Sequence, residues 1–296
     1  MTLPNFVIAG AARCGTTSLY YYLKQHPEIG FPDKKEPKFF SVKAQEFPHN
    51  GPGDHTVDRV MVRDFAEYGK LFQNLGKTKL VGEASSDYLY HHETSVKEMY
   101  DVLGDIPIIL CLRNPVDRAY SAYNNLVRDQ REILSFEEAL ACEEKRLSEN
   151  WDWMWAYKAG GLYAEQVETF QRVFSNVKVV LFEDLKKDAD AIVKELFDFL
   201  GADSHVQVDT SARYSHSGKA KNKLVAFLSN RENILAFALR RLALRLAPRS
   251  FLEKVASQSL EQEGMPEAAR LQLKTYFKED IERLEKVLGQ SLEVWK

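Results

Sequence analysis

The stretch Gly10-Ala11-Ala12-Arg13-Cys14-Gly15-Thr16-Thr17-Ser18 sets two glycines around small residues and follows them with three hydroxyls. Between a strand and a helix, such a turn points successive backbone N–H groups and the positive end of the helix at one anion. The spacing matches G-x-x-x-x-G-K-[ST], except that Thr16 holds the Lys position and the cation has moved into the loop as Arg13. ATP-splitting enzymes set that Lys on the β and γ phosphates and hold Mg²⁺ on the next hydroxyl, so its loss points away from ATP hydrolysis. The structural alternative is a plain glycine-rich turn.

A second anion site is written in Leu112-Arg113-Asn114-Pro115-Val116-Asp117-Arg118-Ala119-Tyr120-Ser121. Pro115 suits the first position of a helix, which leaves Arg113 at the end of the preceding strand. Arg113 then sits at the carboxyl edge of the sheet, where open α/β folds bind ligands, facing the same crevice as the Gly10 loop. Ser121 follows about two helical turns later and can offer its hydroxyl to the same anion. Two separate phosphate sites suit a nucleotide phosphorylated at both ends of its ribose, such as 3'-phosphoadenosine 5'-phosphosulfate (PAPS). Arg113 and Arg118 also read as helix-surface or ion-pair residues, and Arg118 fits that description better. Asp117 and Glu83 read as structural partners for arginines or as N-caps, and His91 and His92 as a surface pair or a reserve base.

The elements that must position these groups alternate. Residues 6–9 form a short apolar run ahead of the loop, and a helical pattern starts at Ser18. Residues 79–82, 107–112 and 177–182 supply further strands, the second fully apolar as in a sheet covered on both faces. Residues 116–129, 135–149 and 188–200 read as helices; Ser135 and Glu138 have capping-box spacing, and Gly201 stops the third. Residues 26–58 form a long loop suited to acceptor recognition, residues 209–223 a polar loop, and Pro266 opens a helix towards Leu288. The class is α/β, expected as one domain over 1–296 with a helical annex at about 224–296.

With 296 residues, 45% of them hydrophobic, the chain can bury a sizeable core. A formal net charge of -3 argues against binding a nucleic acid polymer over the whole surface. Cys14, Cys111 and Cys142 are too few and too scattered for a disulfide framework or a CxxC metal site, which fits a reducing compartment. The start lacks a basic leader, and the apolar run after it is far below the ~20 residues of a membrane span, so a cytoplasmic protein without an integral membrane segment is expected. Residues 151–157 are rich in aromatics, as a stacking wall for an acceptor or as core. Residues 237–249 read as a basic amphipathic helix, packed on the core or touching an anionic partner.

Together these residues resemble the PAPS-dependent sulfotransferase family, especially the bacterial enzymes and those that modify heparan sulfate. Residues 9–19 resemble its 5'-phosphosulfate loop and residues 112–121 its 3'-phosphate segment. Lys35-Glu36-Pro37-Lys38-Phe39-Phe40 resembles its K-E-x-x-F-F stretch, and Gly82-Glu83-Ala84-Ser85-Ser86-Asp87-Tyr88 its G-E-K-[TS]-P-x-Y stretch. Ala84 and Ser86 depart from that pattern, and Arg13 stands where the heparan-type enzymes carry Lys. Residues 161–166, 180–185 and Ser217-Gly218-Lys219, the last like a loop that closes over the nucleotide, also look familial.

The resemblance implies a P-loop-like parallel sheet of about five strands flanked by helices, with a helical C-terminal part, and chemistry without a metal. It implies that Arg13, Cys14, Gly15, Thr16, Thr17, Ser18, Arg113, Ser121, Tyr163, Ser217, Gly218 and Lys219 hold PAPS and its product PAP. Glu36 would be the base that deprotonates the acceptor, its pKa raised by a partly dry cleft, and Arg13 would steady charge on the leaving oxygen. Thr17 and Ser18 can equally cap the helix. The acceptor would be a hydroxyl or amine on a small molecule, a glycan or a carrier. Other readings are a P-loop small-molecule kinase and a nucleotide-binding module without turnover.

Overall fold

The computed structural model describes residues 2–212 and 264–296, together with the backbone of 219–220 and 260–261. In chain order the strands are β1 (Phe6–Gly10), β2 (Ile29–Gly30), β3 (Leu80–Ala84), β4 (Ile108–Leu112), β5 (Val177–Leu181), β6 (Lys219–Ala220) and β7 (Leu260–Glu261). The helices are α1 (Thr16–Leu23), α2 (His55–Asp58), α3 (Phe65–Lys70), α4 (His92–Leu103), α5 (Pro115–Arg128), α6 (Phe136–Ser148), α7 (Tyr163–Val173), α8 (Phe182–Lys187), α9 (Ala189–Leu200) and α10 (Glu267–Leu288).

Among the described residues, five strands form one sheet in the order β2-β3-β1-β4-β5, every pairing parallel. β1 and β4 are buried along their whole length, which is why both read as unbroken apolar runs. From β1 the chain first builds one side of the sheet and then crosses to β4 on the other. The loops leaving β1, β3 and β4 therefore open together at the point where strand order reverses, the position at which such sheets bind ligands.

Local chemistry sets the boundaries. Asn114 accepts the Val116 N–H and Pro115 follows it, fixing the start of α5 directly after Arg113. Ser135 and Glu138 form the expected capping box of α6, and α9 ends at Gly201 in a left-handed conformation. Residues 26–58 are more structured than the expected open loop. Ile29–Gly30 pair with β3 as its fifth-strand neighbour, and Phe39–Ala44 form a 3₁₀ turn. Two residues are too short for an apolar period, so that strand exists only through its partner. α10 packs against α7 and α5, and its Leu273, Phe277 and Leu284 join the same apolar core as Phe6 and Leu110. No helix of the described residues is long and apolar enough to cross a membrane.

Candidate functional site

The loop between β1 and α1 is fixed from below. The Ala11 N–H donates to the Cys111 carbonyl at 2.8 Å, and the Cys111 thiol donates to the Cys14 carbonyl at 2.6 Å. Gly15 is the N-cap of α1 at φ 97°, and a Cβ there would stand 2.9 Å from the Phe182 ring, so only glycine fits both backbone and space. No side chain among the described residues caps the helix, which removes that role for Thr17 and Ser18. Among the described residues no protein acceptor takes the N–H groups of Gly15, Thr16, Thr17 or Ser18, the donors that the start of a helix leaves open. Cys14 is buried with its thiol 3.5 Å from the Tyr163 hydroxyl, and burial raises that thiol to about 11. Cys14 and Tyr163 thus support the loop from beneath.

Arg113 reaches the same loop from the end of β4. Its guanidinium donates to the Arg13 carbonyl at 3.4 Å and lies 4.9 Å from the Phe182 ring centre. Arg13 turns towards α5, donating from Nε to Ser121 Oγ at 3.2 Å and from a terminal nitrogen to Asn125 Oδ1 at 3.1 Å. Arg128 donates to the same Asn125 oxygen at 2.8 Å and pairs with Asp129. Burial, then repulsion from Arg128 and Arg113, lowers Arg13 to about 9. Three guanidinium groups, Arg13, Arg113 and Arg128, thus lie within electrostatic reach of one another beside the loop, with Asp129 opposing them. The structure thus joins Arg13, Arg113 and Ser121 to the phosphate loop as one cluster. Asn125 was missed, although one helical turn from Ser121 put it on the same face.

Across β1, Glu36 lies at the end of β3. Its backbone N–H donates to the Ala84 carbonyl at 3.0 Å; its carboxylate accepts the Ser86 N–H at 2.9 Å and the Lys35 ammonium at 2.5 Å. Glu36 and Lys38 both hold left-handed backbone, φ 60° and 59°. A second tie steadies them: the Lys38 N–H donates to Ser85 Oγ, whose hydroxyl donates to buried Glu83. Glu83 also accepts from Tyr68 and Tyr88 at 3.0 Å each, and burial raises it to about 7. Its partners are hydroxyls, not the arginine the sequence suggested. The expectation that burial would raise Glu36 is corrected. Burial is the largest single influence and acts upward, but Lys35, Lys38 and the Ser86 N–H together outweigh it, so Glu36 lies below its ordinary value.

Other expectations resolve by position. His91 does not lie on an open surface: its Nε2 is buried, and burial with nearby Lys38 lowers it to about 3, so its imidazole is neutral and a weak proton acceptor. His92 turns to Thr169 on α7. Arg118 is buried and donates to the Ala156 and Tyr157 carbonyls as an internal strut, while Asp117 pairs with Arg270 at 3.2 Å. In the aromatic segment, Trp155 and Tyr157 are core, bound to Asp54 and Glu132, whereas the Trp153 ring receives the Lys38 ammonium at 4.6 Å. Ser217, Gly218 and the basic segment 237–249 lie outside the described residues, and of Lys219 only the backbone is described.

The model of the family described as "Sulfotransferase domain" matches residues 3–285. A sulfotransferase from Alicyclobacillus acidocaldarius, solved by crystallography, superposes with a TM-score of 0.80 at 36% identity, covering 100% of this chain and 99% of that one. The membrane-associated sulfotransferase kil1 of Dictyostelium discoideum is 32% identical over 42% of this chain and 23% of its own length. The mouse heparan sulfate glucosamine 3-O-sulfotransferase 3B1 is 27% identical over 67% of this chain and 46% of its own length. This chain thus spans less than half of either of those two relatives.

Proposed function

Because this chain belongs to the sulfotransferase family, we propose that it moves the sulfuryl group of PAPS to a hydroxyl or amine of an acceptor, releasing PAP. One observation carries the donor assignment: the open N–H groups of α1 and the Arg13, Arg113 and Ser121 side chains form a single cationic cluster at the strand-order reversal. Such a cluster suits a ligand with phosphate on two sides of one ribose.

In the proposed reaction the acceptor oxygen or nitrogen attacks sulfur in line, and its proton passes to Glu36. The bond from sulfur to the bridging oxygen breaks, and its electron pair stays on the 5'-phosphate of PAP. Glu36, below its ordinary value, is already ionised at neutral pH and can accept that proton without first being stripped of one. The α1 amides and the guanidinium groups steady the charge on the departing phosphate, in place before it develops. Arg13, turned to α5, is read as acting through the loop and the cationic field.

The discriminating assay follows labelled sulfate from PAPS into acceptor mixtures, and labelled γ-phosphate from ATP, each with Mg²⁺ and with excess EDTA. Sulfuryl transfer that survives EDTA, with no phosphoryl transfer, is expected. Magnesium-dependent phosphorylation would replace this reading with a kinase, and PAP binding without transfer of either group would leave a nucleotide-binding module.

A further inference from the structure

The two oxygens of the Glu36 carboxylate are held unequally. Oε2 accepts twice from one residue, the Ser86 N–H at 2.9 Å and the Ser86 hydroxyl at 3.2 Å. Oε1 accepts once, from the Lys35 ammonium at 2.5 Å. A carboxylate oxygen offers two lone pairs, so Ser86 fills Oε2 while Oε1 keeps one for another donor. The Glu36 side chain is 26% exposed, so it is not sealed in the core.

The backbone that carries Glu36 is fixed by the same neighbours. Glu36 and Lys38 stand in the left-handed region, at φ 60° and 59°, which residues with a Cβ seldom occupy. Three consecutive residues at the end of β3 meet them there. The Ala84 carbonyl accepts the Glu36 N–H at 3.0 Å, Ser85 Oγ accepts the Lys38 N–H at 3.0 Å, and Ser86 closes on the Glu36 carboxylate. Strained backbone persists where its surroundings over-determine it, and such places cluster at functional sites. Packing alone asks for less than is present: the Ser86 N–H already gives Oε2 a partner, and a half-buried hydroxyl is free to turn to water. A second bond to the same oxygen adds orientation.

We propose that Ser86 is a positioning residue, whose N–H and hydroxyl together turn the Glu36 carboxylate so that Oε1 faces the acceptor and takes its proton. The acceptor's O–H or N–H bond breaks, the proton forms a new O–H bond on Oε1, and the electron pair left behind attacks sulfur. This rests on the sulfuryl-transfer reading above and adds to it the atom that receives the proton and the residue that aims it. Burial pushes Glu36 upward, Lys35 and Lys38 on the same turn and the Ser86 donors pull it down by more, and Asp87, one residue past Ser86, is the like charge in reach.

The test compares, in the full-length protein, S86A, which removes the hydroxyl and leaves the N–H, S86T, which keeps both, and E36Q alone and combined with S86A. Labelled PAPS is supplied with 4-nitrophenol, methyl β-D-glucopyranoside or ethanolamine, and label released to water is counted in each reaction. S86A should lower kcat about tenfold with KM changed less than about threefold, because small misplacements of a reacting group cost rate. The acid limb of its pH profile should also move up by about one pH unit, the low end of what one hydrogen bond to a charged group carries. A more basic carboxylate by itself would speed transfer, so a lower plateau with a higher limb is the mark of lost orientation. S86T should stay within about threefold of wild type, and adding S86A to E36Q should cost less than about twofold, since the two residues act through one carboxylate. S86G, which removes the hydroxyl by another route, is run alongside, and PAP affinity within twofold of wild type certifies the fold. An unchanged plateau or limb in S86A, or the same tenfold loss with and without Glu36, overturns the inference. The failures are distinct: a slow E36Q beside a normal S86A sinks Ser86 alone, whereas no transfer by the wild type, or E36Q at the wild-type rate, sinks the reading on which it rests.

Discussion

Removing the Arg113 guanidinium should cost affinity only for nucleotides that carry a 3'-phosphate. Among the described residues the Arg113 guanidinium makes one long hydrogen bond, 3.4 Å to the Arg13 carbonyl, and lies over Phe182, which leaves its other N–H groups without a described protein acceptor. A hydrogen bond to a charged group is worth about 1.5–3 kcal/mol net, or roughly 10- to 150-fold in affinity. R113A should therefore weaken PAP by that factor and AMP by less than about threefold, because AMP offers the side chain nothing to hold. The four dissociation constants, measured by titration calorimetry at fixed salt, form a cycle whose interaction free energy is about 1.5–3 kcal/mol. R113K should fall between, since it keeps the charge and loses the planar fork. The lost stacking on Phe182 is worth about 0.5–1 kcal/mol, so the variant should stay folded, and its thermal midpoint checks this. Equal weakening of PAP and AMP, or no weakening of PAP, would refute the assignment of Arg113 to a 3'-phosphate.

Three further outcomes follow from the same geometry. E36Q should keep PAP affinity within about twofold while single-turnover transfer from labelled PAPS slows about a hundredfold or more, as for a lost general base; an unchanged rate would acquit Glu36. In the pH profile of kcat/KM, the base must be deprotonated, so activity is lost only as pH falls through the depressed Glu36 value. Arg13, which burial and then its neighbouring arginines lower to about 9, must stay protonated, so activity is lost as pH rises through that value. An acid limb between roughly pH 6 and 7 would contradict the ionised base. G15A sets a Cβ 2.9 Å from the Phe182 ring at φ 97° and should cost about 1–3 kcal/mol in denaturant unfolding while weakening PAP; wild-type stability would show that the turn relaxes.

The turn from Gly10 to Gly15, the Arg113 segment and most strands and helices were legible in the sequence, as elements in their places, because local rules govern them. Glycine spacing, a proline after a strand, the Ser135 capping box and unbroken apolar runs each act within a few residues. The sequence also put Arg113 at the correct end of β4, because a parallel sheet opens all such ends on one rim. Tertiary structure alone decided the rest. β2 is two residues long and exists only against β3. Arg13 turned to Ser121 and Asn125, partners more than a hundred positions away that fix a side chain no local rule constrains. Glu36 came out more acidic, not less, because Lys35 and Lys38 overcome the burial that a sequence reader can guess at. Lys38 is coupled by charge to Asp87 and Asp152, which come from two other segments of the chain. Electrostatic environment depends on distance in space, and distance in space is what the order of residues leaves unstated.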